Sequence, residues 1–309
     1  MSRGVCRNGL PARCRRMAPP EAPTRAKALA AGRDHLRQAG IEAADEDARL
    51  LLLDACKIDR LALVTGDREV LSAPEVARYS DLIARRSSGE PASRILGRRP
   101  FWTLDLEVRP GVLDPRGDTE ALVRLALRTA SAPRRVLDLG CGSGALLCAT
   151  LSEWPTAFGV GVDLSAEACA ATSANLRTCA LDSRAAVLQG AWCDALNGTF
   201  EIVLSNPPYI PSRDLAELDR EVRDHDPPLA LDGGADGLDA YRAIFGAVPR
   251  IIAPRGVLAV EFGYGQAEDV ERIAAEAGWR QIDAEQDISG HARAAAFRLD
   301  PKESIYSGQ

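Results

Sequence analysis

Two short segments carry residue types that could do chemistry on a nitrogen atom. The first reads Val136-Leu137-Asp138-Leu139-Gly140-Cys141-Gly142-Ser143-Gly144, an apolar strand pattern running into alternating glycines. The second reads Ile202-Val203-Leu204-Ser205-Asn206-Pro207-Pro208-Tyr209, an apolar strand ending in an amide, two prolines and a phenol. Glycines after a strand let backbone approach a ligand closely. Their spacing here is G-x-G-x-G, whereas the dinucleotide fingerprint is G-x-G-x-x-G, which turns the reading from NAD toward S-adenosylmethionine. In the second segment the Asn206 side-chain oxygen and the Pro207 carbonyl could accept both hydrogens of a planar amino group. Proline has no N–H and presets its own φ, so the carbonyl direction is fixed in advance. Tyr209 offers a ring face for stacking on a planar group. Together the segments point to methyl transfer to nitrogen.

Acidic and aromatic residues nearby have two readings each. Asp163 ends the pattern Phe158-Gly159-Val160-Gly161-Val162, where a carboxylate could accept from ribose hydroxyls or could cap a helix beginning near Ser165. Asp138 could hold the charged amino-acid portion of the cofactor or only tighten the glycine turn. Asn206 to Tyr209 could also be an ordinary Pro-Pro turn after a strand.

The elements that must position these residues follow from periodicity. From 24 to 88 the pattern is helical: Thr24 caps a helix through Gln38 that stops at Gly40, Ala48, Leu51, Leu52 and Ala55 recur at helical spacing, and Ser72 with Glu75 reads as a capping box. Leu104, Leu106 and Val108 alternate with acids in a half-buried strand, expected to pair with 95–101 across a turn at 97–100. After that, helices are expected at 118–130, 144–152, 165–178 and 266–277. Strands are expected at 135–139, 158–163, 185–189, 200–205 and 256–262, with closing strands at 280–286 and 293–299. Near-continuous apolar strands alternating with helices predict an α/β fold with a mostly parallel, doubly wound sheet. The expected organisation is a basic extension at 1–23, a helical domain at 24–92, a β-hairpin linker at 93–112, the catalytic domain at 113–300 and a tail at 301–309.

Composition limits the function classes. The chain has 309 residues, 46% of them hydrophobic, and a formal charge of -6, which disfavours broad phosphate-backbone binding. No apolar run is long enough to span a bilayer. The eight cysteines contain no C-x-x-C pair and the three histidines form no cluster, so zinc is not expected and the thiols read as reduced core residues of a cytoplasmic protein. Before residue 28, seven basic residues face one acid, Glu21, among four prolines, without an apolar signal region. This reads as a disordered extension, as an upstream start preceding Met17 would produce.

The chain resembles the class I S-adenosylmethionine methyltransferases of the HemK or PrmC type, which modify a glutamine side-chain nitrogen in peptide chain release factors. The likeness runs from about 25 to 299. It rests on Gly89-Glu90-Pro91, Ile95-Leu96-Gly97-Arg98-Arg99, Phe101-Trp102, Pro115-Arg116-Gly117-Asp118-Thr119-Glu120, the two segments above, Leu231-Asp232-Gly233-Gly234-Ala235-Asp236-Gly237-Leu238, Tyr241-Arg242 and Glu261-Phe262-Gly263. The resemblance implies a Rossmann-like methyltransferase domain and an N-terminal helical domain that helps dock a release factor, whose Gly-Gly-Gln loop enters the crevice. It implies that Asp138, Gly140, Cys141, Gly142, Ser143, Gly144, Asp163, Trp192 and Asn206 bind S-adenosylmethionine, and that Asn206, Pro207, Pro208 and Tyr209 bind the glutamine, with Asn206, Pro207 and Tyr209 catalytic. Trp192 is equally readable as a core aromatic. Alternative substrates are a ribosomal-protein glutamine, or adenine N6 or guanine N2 in nucleic acid, although no stable nucleic-acid partner is expected. Gly117 departs from the family, which carries proline there.

Overall fold

The computed structural model describes residues 22–287 and 290–300. The basic extension up to residue 21 and the tail at 301–309 lie outside the described residues. The chain divides into two compact units, Met1–Ser87 and Ser88–Gln309.

The first unit is helical: α1 (Arg25–Gln38), α2 (Ala44–Cys56), the short α3 (Arg60–Thr65) and α4 (Ala73–Ser87). Thr24 Oγ1 accepts from the Lys27 amide at 3.3 Å, and Gly40 adopts φ 78°, so start and stop of α1 follow local chemistry. The capping box at α4 is half formed. Glu75 Oε2 accepts from the Ser72 amide at 2.7 Å, but the Ser72 hydroxyl donates to that same oxygen at 2.6 Å. Leu36, Leu51, Leu52, Leu71 and Leu82 fill the core of this unit.

The second unit begins with α5 (Ala92–Leu96), then β1 (Arg98–Phe101) and β2 (Leu104–Glu107). Here the expected hairpin turn is corrected. Gly97, at φ 69°, terminates α5, residues 98–100 are strand, and the chain reverses at Trp102 and Thr103, with Trp102 at φ 56°. The glycine-proline signal marked a helix end instead of a β-turn. Phe101 and Leu106 are fully buried in the core of this unit.

The remaining elements are α6 (Glu120–Thr129), β3 (Arg135–Leu139), α7 (Ala145–Glu153), β4 (Phe158–Asp163), α8 (Ala166–Thr178), β5 (Ala185–Gln189), β6 (Phe200–Ser205), α9 (Arg220–His225), α10 (Asp239–Ala247), β7 (Ile252–Glu261), α11 (Ala267–Glu276), β8 (Trp279–Gln286) and β9 (Ala292–Leu299). The sheet order is β5-β4-β3-β6-β7-β9-β8. The first five strands are parallel, and β9 runs antiparallel to both β7 and β8. Successive strand residues serve opposite faces: Val136 packs with Leu122, Leu125 and Leu147 on one side, whereas Leu137 and Leu139 pack with Tyr241, Ile244 and Phe245 on the other. The sheet is therefore covered on both faces. The chain leaves β3 toward β4 and β5, then returns to lay β6 on the other side of β3, so a crevice opens at the carboxyl ends of β3 and β6. Helix α10 falls in a stretch where no element was expected, although Tyr241, Ile244, Phe245 and Val248 carry the i, i+3, i+4, i+7 spacing.

Candidate active site

The switch point brings the two chemical segments side by side. Leu139 and Ser205 are register partners at the ends of β3 and β6, and the Ser205 hydroxyl donates to the Leu139 carbonyl at 2.7 Å. One residue further, Gly140 opens the glycine loop and Asn206 opens the Asn-Pro-Pro-Tyr turn.

The glycine loop is a cradle held at its rim. Gly140, Gly142 and Gly144 have φ 71°, 55° and 80°, a region that residues with a Cβ rarely adopt. The Gly140 and Cys141 amides donate to the Val162 carbonyl at 2.8 and 3.1 Å, tying the loop to the end of β4. Asp163 accepts from the Gly142 amide through Oδ2 and from the Ser165 amide through Oδ1, both at 2.9 Å. The cap of α8 is Ser165, whose side chain accepts from the Ala168 amide, so capping falls to Ser165 and Asp163 braces two loops. Gly140, Gly142, Asp163, Trp192, Asn206 and Pro208 line one cavity of about 240 Å³, with Val112, Leu113 and Leu229 among its apolar walls. A Cβ on Gly140 would meet nothing nearer than Trp192 at 4.0 Å and would point into open space. Trp192 both lines this cavity and packs on the core, so its two sequence readings are compatible.

Four residues expected at the cofactor lie behind the cradle. Asp138 is fully buried, is absent from the cavity wall, and neither carboxylate oxygen has a hydrogen-bond partner among the described residues. Burial, then the charge of Asp163, pushes its carboxyl up to about 7, and the Leu147 amide in the first turn of α7 opposes the rise. Asp138 is therefore enclosed by protein and stands off the wall of this cavity. Cys141 is buried and its sulfur takes the Thr172 hydroxyl, while the Ser143 carbonyl accepts from Asn175 Nδ2 at 2.9 Å. Gly144 is the N-cap of α7, and a Cβ there would lie 2.9 Å from Thr172 Cγ2. These residues set the shape of the loop.

A second cavity, of about 350 Å³, lies on the other side of Asn206 and is lined by Arg116, Asp118, Asn206, Pro207, Tyr209 and Glu261. Asn206 Nδ2 donates to Thr119 Oγ1 at 3.2 Å, which turns Oδ1 to the free side of the amide. Tyr209 is buried enough to push its phenol up to about 12. A Cβ on Gly263 would be 3.0 Å from the Tyr209 ring, and Gln266 bridges the Gly263 amide and the Tyr209 carbonyl, each at 2.9 Å. The glycine-rich stretch runs alongside this turn. Across an Ile210/Asp232 bridge the Ile210 amide donates to the Leu231 carbonyl and the Gly233 amide to the Ile210 carbonyl, the Ser212 amide donates to the Gly234 carbonyl, and a Cβ on Gly237 would sit 2.4 Å from the Tyr209 carbonyl oxygen. Glycine is required there by contact.

Arg116 and Glu120, near the family departure, are anchors. Arg116 and Arg94 both bond the buried Asp226 carboxylate, and Glu120 accepts from the Trp102 amide at 2.9 Å. Gly117 has no positive φ and no atom within 4 Å of a built Cβ. Sequence reasoning did not single out Thr119, Asn175 or Glu261 for the site. Asn175 is buried and joins Glu107 of the hairpin to Ser143 of the glycine loop. Glu261 had a visible signal: an acid closing the apolar run Val257-Leu258-Ala259-Val260, as Asp163 closes its strand.

The cradle, the paired carboxylate and the apolar wall fit a nucleoside ligand. Among the described residues, no group of three or more His, Cys, Asp or Glu side chains is arranged to hold a metal ion, and no helix is long and apolar enough to cross a membrane. Comparison with known proteins agrees with the geometry. Residues 27–97 match the PrmC N-terminal domain and residues 116–219 the methyltransferase small domain. A solved methyltransferase from Pyrococcus furiosus shares the fold, with a TM-score of 0.50 and 15% identity over 71% of this chain and 98% of that one. Proteins named release factor glutamine methyltransferase are 44% identical in Rhodospirillum rubrum, over 85% of this chain and 81% of that protein, and 42% identical in Caulobacter vibrioides, over 91% and 98%. With such identity along both units, the chain belongs to the release factor glutamine methyltransferase family.

Proposed function

We propose that this chain transfers a methyl group from S-adenosylmethionine to the side-chain N5 of the glutamine in the Gly-Gly-Gln loop of class I peptide chain release factors, in the cytoplasm. The carrying observation is the placement of the Asn206-Pro207 acceptor turn one residue beyond the same strand pair that ends in the glycine cradle. The names borne by relatives over both units support the choice of a release factor.

When bound, S-adenosylmethionine supplies an electrophilic methyl group on a positively charged sulfur. The chain's residues do the rest. Gly140 and Gly142 admit the ligand backbone-close, Asp163 turns its remaining lone pairs to the ribose hydroxyls, and Trp192 packs beside the base. Asp138, Cys141, Ser143 and Gly144 shape the loop from behind. An amide nitrogen is a poor nucleophile because its lone pair is delocalised. Asn206 Oδ1 and the Pro207 carbonyl each accept one of its hydrogens, which fixes the plane of the NH2 group and aims the nitrogen at the methyl carbon. Tyr209 packs on the planar amide, Pro208 lines the cofactor cavity, and Asn206 stands between the two cavities. Transfer would exchange the methyl–sulfur bond for the C–N bond, its electron pair staying on sulfur as a neutral thioether, and the nitrogen would shed one proton to solvent.

Mass spectrometry of a release factor incubated with the protein and S-adenosylmethionine tests this. One added methyl on the Gly-Gly-Gln glutamine is expected, and Asn206→Ala should lower the rate by about 100-fold or more. No transfer by a sample that still binds the cofactor in calorimetry would sink the release-factor reading and turn attention to ribosomal-protein glutamine and nucleic acid.

A further inference from the structure

Three polar side chains from separate segments converge behind the acceptor turn. Asn206 follows β6, Thr119 ends the 3-10 turn Gly117–Thr119 that leads into α6, and Glu261 ends β7. Thr119 is 5% exposed and Glu261 2%. Asn206 and Glu261 both line the acceptor cavity. Thr119 Oγ1 takes the Asn206 Nδ2 hydrogen at 3.2 Å. The Thr119 hydroxyl and the Asn206 amide are also the polar side chains that stabilise the charged form of Glu261, whose Oε2 is buried with no hydrogen-bond partner.

The inventory of hydrogens decides which way Asn206 can point. An ionised carboxylate only accepts, and a threonine hydroxyl has a single hydrogen to give. An ionised Glu261, whose charge the Thr119 hydroxyl stabilises, draws that hydrogen, and the hydroxyl then meets Asn206 as the acceptor seen at 3.2 Å. It then selects the NH2 end of the Asn206 amide and leaves Oδ1 facing the cavity. The two ends of an asparagine amide have nearly the same shape, so packing alone does not choose between them. The flipped amide would present donors to an acceptor nitrogen that itself carries only donors.

We propose that Glu261 is a positioning residue for the transfer: through the Thr119 hydroxyl it locks the Asn206 amide with Oδ1 toward the acceptor nitrogen. The proposal deepens the function given above and rests on it for the identity of the acceptor. Protonated Glu261 can donate instead, which frees the Thr119 hydrogen for Asn206 Oδ1 and removes the lock. Burial pushes the Glu261 carboxyl up to about 7, with Thr119, Arg293 and Asn206 opposing the rise and Asp118 adding to it. The Arg293 charge acts on this carboxyl from β9 while the guanidinium is bonded to Asp287 at 2.8 Å and lies 3.5 Å from Asp118. The Tyr209 and Tyr241 phenols, both raised by burial, stay neutral through this range, and Tyr241 donates to the Glu261 backbone carbonyl at 2.8 Å.

The test is a pH titration of the full chain, free of cofactor and labelled with 15N-asparagine. The Asn206 side-chain resonance is identified by its loss in Asn206→Ala. It should shift with a midpoint near 7. That shift should vanish in Glu261→Gln and shrink in Thr119→Val, where only the direct effect of the carboxyl on Asn206 is left, and Thr119→Ser, which keeps the hydroxyl, should restore it. In assays, Glu261→Gln and Thr119→Val should each lower kcat by about 10- to 100-fold, with unchanged cofactor affinity and without the acidic limb of the pH profile. The double variant should be no worse than either single one. A wild-type resonance that does not titrate, or one that titrates identically in Glu261→Gln, overturns the proposal whatever the substrate. Failure of the wild type to methylate a release factor overturns the substrate reading alone, because the resonance is read without any acceptor.

Discussion

A carboxyl buried without partners is costly to ionise, and Asp138 shows this most plainly. Its value in the folded chain, about 7, lies above the ordinary 3.8, a difference worth roughly 4 kcal/mol. The sign follows by linkage. Its favourable contribution is complete below the ordinary value and is lost as pH rises through about 7. Wild-type protein should therefore lose more thermal stability between pH 5.5 and 8 than Asp138→Asn does. Equal losses in parallel melting curves would show that this carboxyl is not raised. The sequence left two roles open for Asp138, holding the cofactor or tightening the turn, because alternation along a strand does not say which face meets ligand. Its burial and its place off the cavity wall favour the second. Asp163 differs by being the last residue of β4, where its oxygens meet loop amides at the cavity wall.

At the scale of elements, the acceptor turn is held rigid by segments that look like loops in the sequence. The stretch around Gly233 and Gly237 is glycine-rich because the Tyr209 carbonyl and neighbouring backbone occupy the space a side chain would need. At Gly237 the requirement comes from Tyr209, more than twenty positions away, and at Gly233 from the backbone of Gly237 folded against it, and neither is visible to local propensity. Gly117 is the opposite case. It opens the 3-10 turn before α6, has no left-handed φ and touches nothing where a Cβ would be, and Arg116 before it is extended at φ -99° and ψ 139°, as a residue preceding proline must be. Gly117→Pro should raise stability by about 0.4 to 1 kcal/mol through the unfolded state, read by urea denaturation. A destabilised variant would mean that the turn needs glycine after all. The hairpin shows where local signals mislead: Gly97 ends a helix and the chain reverses at Trp102, because five residues of α5 consumed the glycine that looked like a turn.

At the scale of the molecule, the helical unit owns its own core, with Leu51 fully buried in α2. Leu51→Ala should cost that unit about 2 to 5 kcal/mol. If the unit docks the release factor, the same change should raise KM for the release factor and leave cofactor affinity as it was. An unchanged KM in a measurably destabilised protein would end the docking assignment. Residue order alone determined most of the element types, though not α10 or the end of α5 at Gly97, together with the glycine cradle, the Asn-Pro-Pro-Tyr turn and the α/β class, because periodicity, φ preference and donor chemistry are properties of neighbouring residues. Only the tertiary structure decided that β6 lies beside β3, that Glu261 reaches Asn206 from the far side of β6, and that Asp138 is enclosed by protein. Strand order is set by which apolar faces bury one another across the whole sheet, and so is the position of any group that the sheet carries to its edge.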